Sequence, residues 1–194
     1  MRSDEELMSA YVEGDKAAFD ELFSRYGPML LRLMRRQLYQ PEDATELVQQ
    51  TFLQMHRARA DFDASKKLRP WLLTIAYNLK REYFRRKKRR PEAPLEHEPP
   101  NSERRRDPLE VDDDRRRVRE ALAQLPEGQR QVIELHWFEE LSFNEVAEIL
   151  GLSVSAVKVR AHRGYKELRK RLESEAGGRR DRDDNRVTDD EGGS

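Results

Sequence analysis

Two stretches of the chain carry residue types suited to nucleic acid. The first runs from Trp71 to Arg90. It sets Trp71, Tyr77 and Phe84 among Asn78, Arg81 and a dense cationic end, Arg85-Arg86-Lys87-Lys88-Arg89-Arg90. Aromatic rings stack on unpaired bases while cations track phosphates, and the Asn78 amide can hydrogen-bond an exposed base edge. The second stretch, Ser142 to Leu172, reads as a short helix, a Gly151-Leu152-Ser153 turn and a longer basic helix, the spacing of a helix-turn-helix. With Val157, Ala161, Leu168 and Leu172 inward, the opposite face displays Ser155, Lys158, Val159, His162, Arg163 and Lys166. Arg or Lys on such a helix can pair with guanine acceptors in a major groove, and backbone amides at the Ser153 terminus can hold a phosphate. The blander alternatives are a solvated basic face, and a Tyr77 and Phe84 that merely cover their own core.

A third stretch points to protein rather than DNA. In Asp43–Arg57 the apolar positions Ala44, Leu47, Val48, Thr51, Phe52 and Met55 form one helical stripe, leaving Glu46, Gln49, Gln50, Leu53 and Arg57 outside. Leu53 stands nearly opposite the stripe, where burial in the monomer gains it little. Flanked by amides, it resembles the anchor of a protein–protein contact, although a lone exposed leucine is common on monomers.

Chemistry of other kinds finds no support. There are no cysteines, hence no disulfide and no thiolate metal site. His56, His97, His136 and His162 lack metal-ligand spacing, and neither H-E-x-x-H nor a Gly-rich phosphate loop occurs. No catalytic residue, metal or cofactor is therefore expected. The N-terminus lacks the apolar core of a signal peptide, and no apolar run approaches the roughly twenty residues of a membrane span. A cytoplasmic protein without membrane insertion is the expectation.

The elements that position these residues are helical throughout. Asp15 caps a helix bearing Ala18, Phe19, Leu22, Phe23 and Tyr26, Gly27-Pro28 breaks or bends it, and Leu30, Leu31, Leu33, Met34 and Leu38 continue the pattern. Pro41 opens the next helix. Leu72, Ile75, Ala76, Leu79 and Tyr83 form the inner line of the basic helix, turning Thr74, Asn78, Arg81 and Arg85 outward. Further on, Arg115–Leu125 stops at Pro126, and Glu127–Phe138 follows with Val132, Ile133, Leu135 and Trp137 as its apolar positions. Ser142 and Glu145 make a capping box for a helix ending at Leu150, with Gly151 suited to the left-handed position beyond it. No β-period alternation is present.

The 194 residues carry 38 basic and 38 acidic side chains, but the zero net charge conceals segregation. Lys80–Arg90 is basic apart from Glu82, whereas Glu92–Asp114 is mostly acidic and punctuated by prolines. The expected organisation is all-α: a helical bundle over 1–90, a flexible acidic Pro-rich linker over 91–114, a helix-turn-helix domain over 115–172 and a disordered tail over 173–194.

Three segments in this order resemble the sigma-70 family, specifically its compact extracytoplasmic-function (ECF) sigma factors. Asp43-Ala44-Thr45-Glu46-Leu47-Val48-Gln49-Gln50-Thr51-Phe52-Leu53 is similar to the family's polymerase-docking helix. Arg69-Pro70-Trp71-Leu72-Leu73-Thr74-Ile75-Ala76-Tyr77-Asn78-Leu79 resembles its helix for the −10 element, and Leu125–Leu172 its −35 domain. The resemblance implies regions 2 and 4 on the two units. It implies that Glu46, Gln49, Gln50 and Leu53 meet the β′ clamp helices of core RNA polymerase. Asn78 and the loop Asp61–Lys67, with Ser65 and Lys66, would hold a flipped −10 base beside Tyr77, while Arg81, Arg85 and Arg86 bind backbone. Ser155, Lys158, Val159, His162 and Arg163 would face the −35 groove, and an anti-sigma factor is an implied partner. Departures from the family pattern are His56 for a frequent tryptophan, Glu82 for aspartate, Tyr77 for arginine and Val159 for a small polar residue, the last exchanging a hydrogen bond for contact with a thymine methyl. Two rivals remain: an operator-binding regulator, and a polymerase-binding protein that reads no DNA.

Overall fold

The computed structural model describes residues 2–38, 40–89 and 113–187, with backbone only at 113–115 and 175–187. It is helical, with no strand among the described residues. The helices are α1 (Asp4–Val12), α2 (Lys16–Arg35), α3 (Pro41–Arg57), α4 (Leu68–Arg89), α5 (Asp113–Ala123), α6 (Glu127–Ile133), α7 (Phe143–Leu150) and α8 (Val154–Val187). A 3-10 turn at Arg59–Asp61 and a π turn at Glu134–Phe138 complete the elements. The chain divides into one unit of residues 1–101 with 144–153 and another of 102–143 with 154–194. The linker expected over 91–114 falls outside the described residues except for 113 and 114, which open α5.

In the first unit each helix start has a chemical reason. Ser3 and Glu6 form a reciprocal capping box on α1: the Glu6 amide donates to Ser3 Oγ at 3.1 Å and the Ser3 amide to Glu6 Oε2 at 2.6 Å. Asp15 Oδ1 accepts from the Ala17 and Ala18 amides at 2.9 and 3.3 Å, capping α2 as expected. Pro41 occupies the first turn of α3, where its missing N–H costs nothing.

Of the break or bend expected at Gly27-Pro28, the break does not occur: α2 is one helix through Pro28. Leu22 and Tyr26 before the proline, and Met29, Leu30, Leu33 and Met34 after it, are all buried, so both flanks are held against the rest of the bundle. Ser24, whose carbonyl loses its partner at Pro28, is exposed and can turn to water. Tyr26 is further fixed by donating its hydroxyl to Asp4 Oδ2, and burial first, then this bond, pushes its pKa up.

The helices α1, α2, α3 and α4 pack in succession, and α1 also meets α4 and the 3-10 turn. Their shared core includes Leu7, Met8, Leu22, Leu30, Leu33, Met55, Leu68, Leu72 and Leu73, all essentially inaccessible. The helix α1 was not anticipated as an element of its own. Leu7 and Met8 are its only buried residues, too few to signal a period.

In the second unit α5 and α6 both pack on α8, around Leu122, Leu125 and Ile133 with Val118, Tyr165 and Leu168 alongside. The helix expected over Glu127–Phe138 is instead α-helical to Ile133 and π-helical beyond. The wider turn changes the phase of the following side chains. Trp137 consequently stands 63% exposed and Phe138 48% exposed, rather than continuing the apolar line of Val132, Ile133 and Leu135.

Gly164 on α8 is needed for this packing. A Cβ there would lie 2.7 Å from Ile133 Cδ1 and 3.3 Å from Gln129 Cβ, too close for the helices to keep their distance. Gly164→Ala is expected to destabilise this unit toward the lower end of roughly 1–3 kcal/mol, because Ile133 Cδ1 is a flexible end and Ala favours helix. Denaturant unfolding measures this, and an unchanged or raised midpoint would contradict the packing described.

The helix α8 extends to Val187, past the boundary expected at Leu172 and into the segment expected to be disordered. Pairs such as Arg169–Glu173 at 3.6 Å and Arg171–Glu167 at 2.8 Å lie at i,i+4 spacing. Once a helix is nucleated each further residue adds a hydrogen bond, against which Gly177 and Gly178 each cost about 1 kcal/mol relative to Ala. Residues 188–194 lie outside the described residues.

Candidate nucleic-acid interface

The outer face of α3 is as anticipated. Ala44, Leu47, Val48, Thr51, Phe52 and Met55 are buried, while Leu53 is 48% exposed. Glu46 and Gln49 are exposed and Gln50 is half-buried, its Nε2 donating to Glu46 Oε1 at 2.7 Å. A feature the sequence reading missed adjoins this face: Phe23 of α2 is 46% exposed and rests on Phe52, ring centroids 4.7 Å apart. The helical period of α2 predicts an inward Phe23, and its ring departs from that line.

On α4, Asn78, Arg81, Arg85 and Arg86 are exposed. The Arg81 guanidinium donates to Asn78 Oδ1 and, within the same unit, to the Leu150 carbonyl at 2.7 Å. Arg85 lies 3.7 Å from Glu82. Thr74 is half-buried and donates to the Pro70 carbonyl at 2.9 Å.

Tyr77 is different and corrects an expectation. It is 1% exposed, a core residue rather than an open stacking surface. Its hydroxyl accepts from Gln37 Nε2 at 2.9 Å, Lys80 Nζ donates to Gln37 Oε1, and the Lys80 ammonium sits 4.9 Å from the Tyr77 ring centroid. Gln37 and Lys80 are themselves buried. The inner line of α4 therefore passes through Leu72, Leu73, Ala76, Tyr77 and Lys80, while Ile75 and Leu79 are only half-buried. Lys80 gave no signal on its own, since a lysine reads as surface unless a buried acceptor such as Gln37 is known. Phe84 is half-buried edge-on to Tyr83, centroids 5.2 Å apart. Tyr83 donates to Asp43 Oδ2, and burial first, then that bond, raises its pKa.

Between α3 and α4 the loop 61–67 is exposed at Ser65 and Lys66 yet internally ordered. Asp63 Oδ1 accepts from the Ser65 hydroxyl at 2.7 Å and the Ser65 amide at 3.0 Å, and the Lys66 amide donates to the Asp63 carbonyl at 2.9 Å. Phe62 packs on Trp71, centroids 5.1 Å apart. The Ser65 hydroxyl, and then its amide, hold the Asp63 carboxyl below its ordinary value of 3.8. A depressed folded value means the turn gains from ionised Asp63 above the ordinary pKa and loses that gain as pH falls through the lowered one. An NMR titration of the Ser65 amide is expected to change below about pH 4. An amide resonance flat to pH 2 would contradict the turn.

On α8, Ser155, Lys158, Val159, His162, Arg163 and Lys166 are all exposed, with Val159 at 48%. Behind them Val157, Ala161 and Gly164 are buried, and Leu168 and Leu172 half-buried. The turn that precedes α8 has Gly151 at φ +65°, the left-handed value expected for it, and the Leu152 amide closes on the Ala147 carbonyl at 2.9 Å. No cluster that could hold a metal ion occurs among the described residues. None of the described helices is long and apolar enough to cross a membrane.

Comparison with known proteins bears on this arrangement directly. Residues 22–90 match the model of sigma-70 region 2, and residues 115–168 that of sigma-70 region 4. The RNA polymerase sigma factor CarQ of Myxococcus xanthus is 33% identical over 166 residues, 85% of this chain and 95% of that relative. The chain belongs to the sigma-70 family.

It is an RNA polymerase sigma factor of the ECF type. The ECF factor SigM of Mycobacterium tuberculosis is 34% identical over 171 residues, covering 88% of this chain and 85% of SigM. Among solved structures, CnrH in complex with the cytosolic domain of CnrY is similar at 28% identity and a TM-score of 0.63, over 89% of this chain and 99% of that one. The helices α3 and α4 lie within region 2, and α6 and α7 within region 4. The helix α1 precedes the matched part of region 2.

Proposed function

We propose that this sigma factor attaches to core RNA polymerase through the outer face of α3 and engages a promoter at two separated elements. Glu46, Gln49, Gln50 and Leu53 meet the β′ clamp helices. Asn78 and the loop with Ser65 and Lys66 capture a flipped, unpaired −10 base, while Arg81, Arg85 and Arg86 follow its backbone. The start of α8, with Ser155, Lys158, Val159, His162 and Arg163, enters the −35 major groove of duplex DNA. Tyr77, being buried, has no part in base contact and instead stiffens α4 from within.

The observation that carries the reading is the separation of faces on α8. Lys158, Val159, His162 and Arg163 face solvent while Val157 and Ala161 are 0% and 2% exposed. A helix fixed by such a core presents its cations in a set geometry, as groove recognition requires. The factor itself catalyses nothing; chemistry belongs to the polymerase, and the cytoplasm is its place of work. An anti-sigma factor is the further partner proposed, and CnrH, similar over most of this chain, was solved with a protein partner, the cytosolic domain of CnrY. A protein of that class would mask the α3, α4 or α8 surfaces.

Selecting promoter sequences from a random pool with the reconstituted holoenzyme tests this reading. Two short blocks at one fixed spacing are expected, and both should vanish without the chain. A single palindrome selected by the chain alone would instead identify an operator-binding regulator.

A further inference from the structure

We infer that Glu5, on the N-terminal helix α1, is a positioning residue for the −10-reading part of the molecule; this rests on the role proposed above for Asn78 and the loop 61–67. Glu5 Oε1 accepts the backbone amide of Leu68 at 3.0 Å, from 63 residues away in sequence. Leu68 is the first residue of α4, and the loop ends immediately before it. The opening amides of a helix have no partner inside it and need one from elsewhere. The adjacent Lys67 side chain carries only donors and cannot serve. A carboxylate at this end is also favoured by the helix dipole.

Glu5 is in turn held rigidly. The capping box of Ser3 and Glu6 fixes the first turn of α1, and Asp4 beside Glu5 accepts from Arg25 Nη1 at 2.7 Å and from the Tyr26 hydroxyl. The helix α1 packs on both the 3-10 turn that enters the loop and on α4 that leaves it. The loop is thus clamped at both ends by α1, with Leu68 wholly buried as its downstream anchor. Removing the Glu5 acceptor frees the first turn of α4, lets the loop end shift, and spoils the geometry around a captured base. The −35 helix and the α3 face do not depend on this bond.

The test uses the full chain assembled with core polymerase and promoter DNA held open across the −10 element, carrying each of the four bases at the captured non-template position. Glu5→Ala is expected to lower discrimination between the preferred and other bases roughly tenfold, equivalent to about 1.4 kcal/mol. Affinity for core polymerase and preference at −35 should stay unchanged. Glu5→Gln, which keeps an acceptor at the same reach, should restore most of the discrimination, whereas Glu5→Asp, one methylene short, should not. This pair carries the test even where Glu5→Ala folds poorly, and equal discrimination by the two would overturn the inference. Wild-type discrimination in Glu5→Ala would also overturn it. If Asn78→Ala loses discrimination in the same series, the failure belongs to Glu5 alone; if Asn78→Ala keeps it too, the −10 reading falls as well.

Discussion

Leu53→Glu is expected to weaken binding to core RNA polymerase by about thirtyfold or more while leaving the fold in place. The estimate follows from the cost of removing a central apolar anchor, about 2 kcal/mol or more, to which an introduced carboxylate adds desolvation. Leu53 is nearly half exposed, and the stripe beneath it, from Ala44 to Met55, is closed without it. The substitution therefore removes nothing from the core of the monomer, and its thermal midpoint should move by only a few degrees. Titration of labelled protein with core polymerase gives the affinity, and a melting curve gives the control. Unchanged affinity would remove α3 from the docking surface.

Arg163→Ala carries the second large effect. Arg163 lies on the exposed face of α8, with Lys158, Val159 and His162 on the same side and Ala161 buried behind. If its guanidinium pairs with a guanine edge, its removal costs about 1–3 kcal/mol for the preferred base and far less for the others. Binding of holoenzyme to promoters varied at each −35 position should then lose discrimination at one position only. A uniform loss over all sequences, with a shallower salt dependence, would assign Arg163 to a phosphate instead. Val159→Ser extends the argument: loss of the γ-methyls should weaken preference for thymine at a neighbouring position, and an unchanged preference would place Val159 outside the groove.

Much of this was legible because strong periodicity leaves few choices. The stripe of α3, Ala44 to Met55, spans about three turns with Thr51 its one polar inner residue, so its phase, and with it the outward Leu53, could be read directly. Gly151 was legible for a different reason: a turn needing positive φ singles out glycine. On α4 the inner line is mixed, and Tyr77 and Lys80 both pair long apolar bodies with polar tips. Which side they take depends on Gln37, forty and more residues away, a fact no local pattern contains. Tertiary burial likewise carried α2 through Pro28, where local propensity signals a stop. The π turn at Glu134–Phe138 shifted Trp137 outward by changing the phase in mid-helix, and the clamp from Glu5 to Leu68 joins residues that only folding brings together.

The central claim is that this one chain confers promoter recognition on polymerase by using separate faces at once. Run-off transcription from a promoter chosen by the holoenzyme tests it most directly, comparing core polymerase alone, the chain alone and the two together, with Leu53→Glu and Arg163→Ala alongside. The account predicts a specific transcript only from the combination, nearly lost with Leu53→Glu and reduced with Arg163→Ala in proportion to the changed −35 base. Equal transcript from core polymerase alone, or full activity in both variants, would contradict it.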